Sequence, residues 1–131
     1  MNTPRDITVS VSDRTKLRKL ALQVAELAAL SIQQQQIAEW KRLNALKPGR
    51  PLVLVWHFET PWQELECEEL RLQCEGDFCR GIEQNLRRTV FQWNHFPGDM
   101  VIDDYIECYP SVHDASMSWR SGYGAASRRR S

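Results

Sequence analysis

The chain has 131 residues, 42% of them hydrophobic and 26% charged, and its 17 basic residues balance 17 acidic ones. That length suits one modest domain with a core of its own, and the composition excludes a disordered or collagen-like chain. Zero net charge removes any general electrostatic reason to expect nucleic acid or a membrane surface as partner.

The N-terminal stretch MNTPRDITVSVSD lacks the apolar core of a signal peptide, and no apolar run approaches the roughly 20 residues of a bilayer span. A cytoplasmic location is the expectation. Ser10 is placed to cap a helix, with Asp13 three residues later. Leu17, Leu20, Ala21, Val24, Leu27, Ala28 and Ser31 then recur at three- and four-residue steps, predicting one long amphipathic helix over 13–45. Gln33 to Gln36 read as exposed surface of that helix, and Trp40 and Leu43 continue its apolar face. Lys47-Pro48-Gly49 is expected to end it, proline by blocking extension and glycine by relieving the turn.

Leu52 to Trp56 is apolar on both faces, as expected of a strand buried on both sides. Thr60-Pro61-Trp62-Gln63 has the form of a helix start, threonine as cap and proline at the first helical position. Glu64 to Glu75 is acidic and weakly patterned, a loop or a short strand. Gly76-Asp77 opens a second amphipathic helix, with Phe78, Ile82, Leu86, Val90 and Trp93 as its apolar stripe and Pro97-Gly98 as its stop. Met100, Val101 and Ile102 suggest another strand before Asp103-Asp104. Helix, strand, helix, strand implies α/β class, with a βαβ element of right-handed crossover. Beyond Asp114, ASMSWRSGYGAASRRRS is rich in Ser, Gly and Arg and has no acidic residue, so it reads as a disordered basic tail. The division expected is thus a flexible 1–12, a folded 13–114 and a tail 115–131.

Cys67, Cys74, Cys79 and Cys108 are spaced C-x6-C-x4-C with a distant fourth. That matches no common zinc pattern, and without a secretion signal reduced thiols are expected rather than disulfides.

Several motifs fall in the order seen in one known family. Trp40, Leu43 and Asn44 (W-x2-L-N), RPLV at 50–53, ETPWQEL at 59–65 and LQCEGDFCRGIEQNLRRTVFQWNHFPGDMVI at 72–102 resemble the N-terminal part of uroporphyrinogen decarboxylase-like proteins. The branch resembled includes corrinoid-dependent methyltransferases, and the resemblance covers roughly residues 35–114. It implies a helical N-terminal extension over 13–45 and the first β elements, near 52–56 and 100–106, of a (β/α)8 barrel. A whole barrel takes about 250 residues, so this chain is expected to be a truncated homologue holding an incomplete barrel and inactive alone. The chemistry implied for full-length relatives is tetrapyrrole decarboxylation or corrinoid-dependent methyl transfer. Their zinc is bound by histidine and cysteine in the later barrel, and nothing here matches that motif; no cofactor is expected in this chain. The chain departs from the family where an acidic residue near His57 and a glutamate-proline pair near Asp103-Asp104 are expected, and its tail resembles nothing there.

Within that frame His57 and Glu59 would share one face at a strand's end, where barrel sites gather and where acid–base work is done. Asp103 follows the second predicted strand in the same kind of position; Asp103 and Asp104 point to opposite faces and form no dyad. Together His57, Glu59 and Asp103 are the candidate catalytic residues. Arg87 and Arg88 are candidates for binding the carboxylates of a tetrapyrrole, with surface ion pairing as the plainer role. The rival to the enzyme fragment is a stand-alone interaction module that uses its two amphipathic helices to assemble. Self-association is expected of the fragment, whose incomplete barrel would leave strand edges unpaired and apolar helix faces uncovered.

Overall fold

The computed structural model describes residues 7–56 and 59–107, with backbone only at 59 and 60. His57, Cys108, His113, Asp114 and the basic tail lie outside the described residues. What is described is all-helical: α1 (Val11–Ala28), α2 (Ser31–Asn44), α3 (Glu59–Glu64), a 3-10 turn (Glu68–Leu70) and α4 (Asp77–His95).

Ser10 caps α1 as its sequence predicts, its hydroxyl accepting the N–H of Asp13 at 3.0 Å. The apolar stripe of α1 meets that of α4. Leu20, Val24 and Leu86 are buried with Met100 and Ile102, and Leu17, Leu27, Ala28, Ile82, Val90 and Trp93 pack around them. Complete burial of a leucine such as Leu86 contributes on the order of 2 kcal/mol. Phe78, assigned to the stripe by spacing, is half exposed, whereas Cys79 and Glu83 are buried on α4.

The long helix predicted over 13–45 is two helices. Leu30 adopts φ −62° and ψ 140°, breaking the chain between α1 and α2. No proline or glycine marks this position. Tertiary contacts of α2 hold the new direction instead, because Trp40 Nε1 donates to Asp99 O (2.7 Å) and Gln33 Oε1 accepts the N–H of Ile102 (3.0 Å). Gln33 and Gln36, expected on the surface, are consequently buried.

α2 ends on Leu46, not on the glycine three residues later. Leu46 N–H bonds to Leu43 O and Lys47 N–H to Arg42 O, the paired bonds of a Schellman ending. That ending needs a left-handed residue, and Leu46 supplies it at φ 56°. The short α3 begins at Glu59, so Pro61 lies within its first turn rather than at its first position. Its Trp62 is buried against Phe91 and Phe96, with ring centroids 6.0 and 6.4 Å away.

The expected α/β class and incomplete (β/α)8 barrel are overturned, since no β-strand occurs among the described residues. The reason is visible where residues 52–56 and 99–102 run near one another. A single backbone bond joins them, Asp99 N–H to Val53 O at 2.8 Å. Side chains occupy the other positions that a ladder would use. The carboxylate of Asp99 takes the N–H of Val53 (2.8 Å), Gln33 takes that of Ile102, and Gln92 Nε2 donates to Val55 O (2.9 Å). Gly98 permits the close approach. Its φ is +51°, and a Cβ there would stand 2.7 Å from Val53 O.

Candidate functional site

Three buried or nearly buried carboxylates organise the non-helical segments. Asp99 follows the Gly98 turn and faces Arg50, with Oδ1 2.6 Å from Nη2 and Oδ2 3.2 Å from Nη1. The Arg50 guanidinium, and after it the Val53 N–H, hold the Asp99 carboxyl below the usual carboxylate range. Asp13 lies at the start of α1, where a capping box would turn it back toward Ser10. It reaches across instead to the N–H groups of Gly76 (3.0 Å) and Glu75 (3.1 Å), and these bonds lower its pKa. In this way the first turn of α1 fixes the entry to α4.

Glu83 is fully buried. Its two oxygens accept the N–H groups of Gln73 and Cys74, each at 2.8 Å, and Arg87 Nε donates to it at 2.8 Å. Burial alone would raise the Glu83 pKa, but the Cys74 and Gln73 amides with Arg87 outweigh it and the pKa is lowered. Cys74 and Cys79 sit inside this carboxylate-rich corner. Burial, reinforced by the charge of Glu83, pushes the Cys74 thiol up to about 12; burial and Asp13 raise that of Cys79. Neither is a thiolate near neutral pH, so neither is an activated nucleophile.

Asp103 occupies a different place. With Asp104, Tyr105 and Ile106 it lines a groove of about 240 Å³, together with Ala21, Val24 and Ala25 of α1 and Leu86 of α4. Apart from the two aspartates and Tyr105 the lining residues are aliphatic. A larger depression, about 520 Å³, is made by the contiguous stretch Leu65–Arg71 and brings no distant residues together.

Neither Arg87 nor Arg88 lines the Asp103 groove. Besides Glu83, Arg87 donates to Glu69 O at 3.2 Å, and the guanidinium of Arg88 stacks 5.1 Å from the Trp62 ring centroid. His57 lies outside the described residues. So does the side chain of Glu59, whose backbone opens α3. Among the described residues no group of three or more His, Cys, Asp or Glu could hold a metal ion. No helix among them is long and apolar enough to cross a membrane.

Sequence reading passed over the polar residues that matter most to this arrangement. The signals were present. Glu83 sits three residues before Leu86 on the buried face of α4, and Gln33, Gln36 and Trp40 share one face of α2 by their spacing. A charged or polar side chain inside an apolar stripe needs a partner. Glu83, Gln33 Oε1 and Trp40 find it in loop backbone, whereas Gln33 Nε2 and Gln36 Oε1 are buried without a hydrogen-bond partner among the described residues.

Among the described residues these features define a small all-helical fold whose extended segments are fastened by side chains. No protein-family model, no curated protein and no solved structure matches the chain.

Proposed function

We propose that the chain is a helical interaction module that assembles with further copies of itself, and that it acts by binding rather than by catalysis. The observation carrying this reading is the segment from Leu46 to Trp56. There Leu46, Val53, Leu54 and Trp56 expose 94%, 58%, 49% and 76% of their surfaces beside a small core. Large apolar side chains exposed so close together in the sequence offer contact surface to a partner. Charge suits a second copy as partner, because the basic residues Arg14, Arg18 and Lys19 of α1 and the acidic run Glu64, Glu66, Glu68 and Glu69 lie on one chain of zero net charge. The buried, unbridged thiols Cys74 and Cys79 suit a reducing, cytoplasmic setting. Sedimentation equilibrium over a concentration series tests the proposal. Reversible association is expected, and a monomer at every concentration would overturn it.

Kinship with the uroporphyrinogen decarboxylase-like proteins is a second reading, favoured by one observation. Residues that carry the resemblance are also those that fasten the fold: Trp40, Arg50 and Asp99 in one group, Glu83 and Arg87 in another. On this reading the chain is the helical N-terminal portion of such an enzyme. Zinc and the corrinoid would be handled by residues of longer relatives, and a tetrapyrrole carboxylate would meet Arg88. Titration with uroporphyrin, followed by tryptophan fluorescence, tests it. Quenching that weakens in Arg88→Ala supports the reading, and no binding removes the tetrapyrrole from it.

A further inference from the structure

The backbone of residues 52–56 has two unlike edges. Val53 and Val55 turn their polar groups inward: both the N–H and C=O of Val53 bond to Asp99, and the C=O of Val55 accepts from Gln92. Leu52, Leu54 and Trp56 make no backbone hydrogen bond among the described residues. In extended chain, alternate residues direct their amides and carbonyls to opposite sides. The pinning of 53 and 55 to the body therefore leaves the groups of 52, 54 and 56 in a row facing away from it. Such a row is a template for another extended chain.

We infer that this edge pairs with the same edge of a second copy, antiparallel about Leu54, to close a symmetric dimer. The inference rests on the self-assembly reading above and names its surface. The sequence is self-complementary for this pairing. Around Leu54, Val53 falls opposite Val55 and Leu52 opposite Trp56, so each cross-strand pair is apolar. The nearest charged residue before this segment, Arg50, is already compensated by Asp99 and so brings no uncompensated charge against the apolar pairs. Leu54 then exchanges both backbone bonds with its own copy, while Leu52 and Trp56 do so with each other. Every outward amide and carbonyl of the three residues is satisfied, and the assembly stops at two because the edge is used up.

The test is sedimentation equilibrium of the full chain, wild type beside Leu54→Lys and Leu54→Pro, with amide hydrogen exchange at low and high protein concentration. Lysine places like charges together on the symmetry axis, and proline removes an outward donor. Both variants are expected to raise the dimer dissociation constant by on the order of tenfold or more. Leu54 belongs to no buried cluster, so the thermal midpoint of Leu54→Lys should match that of the wild-type monomer. The amides of Leu54 and Trp56 should exchange more slowly as the dimer forms. A wild-type dimer whose constant is unchanged in Leu54→Lys, with those amides unprotected, would overturn this edge as the interface and leave the self-assembly reading standing. Open-ended growth beyond a dimer would overturn the symmetric pairing. A wild type that is monomeric throughout would overturn both.

Discussion

Arg50 and Asp99, 49 positions apart in the chain, meet as a two-point ion pair, Nη2 to Oδ1 at 2.6 Å and Nη1 to Oδ2 at 3.2 Å. The pair does more than join two charges. Asp99 Oδ2 also accepts the N–H of Val53, and the Asp99 backbone joins Val53 O and Trp40 Nε1. One aspartate thereby ties α2, the 50–53 segment and the turn after α4.

Loss of Asp99 should therefore cost more than loss of Arg50. Asp99→Ala is expected to lower the urea midpoint well below that of Arg50→Ala, since the arginine side chain is half exposed and, beyond the pair, donates to a nearby carbonyl and feels the charge of Glu39. The double variant should unfold near the midpoint of Asp99→Ala, because each single change already breaks the ion pair. Fully additive midpoint shifts in this cycle would show that the two residues act independently.

Acid should unfasten the loops before neutral or alkaline pH does. Asp13, Glu83 and Asp99 all have folded-state pKa values below their ordinary ones. As pH falls the unfolded chain binds protons first, so the stability they contribute is complete above the ordinary carboxylate range and is lost as pH drops through the folded values. Urea midpoints should be level between about pH 5 and pH 8 and decline below about pH 4. In Glu83→Gln that decline should be shallower, starting from a lower midpoint at neutral pH. An acid limb as steep as wild type in Glu83→Gln would show that this carboxylate is not one of the groups responsible.

Leu46→Gly should stabilise the protein. Leucine pays a steric cost in the left-handed conformation that glycine does not, roughly 1–2 kcal/mol, and at 94% exposure it has almost no packing to lose. Greater backbone freedom of glycine in the unfolded chain offsets part of this. A net gain of about 0.5–1 kcal/mol is expected in chemical denaturation. The same substitution weakens any contact that Leu46 makes between copies, so the measurement belongs at low protein concentration.

The thiols should divide by burial. Cys67 is exposed, whereas Cys74 and Cys79 are nearly inaccessible and their thiols are held protonated by burial and by Glu83 or Asp13. Alkylation of the native protein near pH 8, read by peptide mass spectrometry, should modify Cys67 quickly and Cys74 and Cys79 only as fast as the chain opens. Equal rates at the three would contradict the packing around Glu83.

By itself the sequence determined α4, the capped start of α1 and the residues that seal them together. Each follows from local rules: apolar spacing near 3.6 residues, a serine positioned to cap, and a Pro-Gly stop. It also marked Leu52–Trp56 and Met100–Ile102 as strands, the first buried on both sides. Neither is a strand among the described residues, and Val53, Leu54 and Trp56 are exposed. Whether those two runs pair as strands is a matter of which groups reach their amides and carbonyls first, and that is settled only in three dimensions. Asp99, Gln33 and Gln92 reach them here, so side chains take the place of a sheet. The break at Leu30 and the burial of Gln33 belong with this outcome, since α2 must turn to bring its amide face onto residues 99–102. That Arg87, a candidate for binding carboxylates, is the partner of a buried glutamate is likewise visible only in the folded chain. Helix periodicity is written in neighbouring residues. Hydrogen-bond satisfaction across dozens of residues is not, and it decided how the extended segments are held.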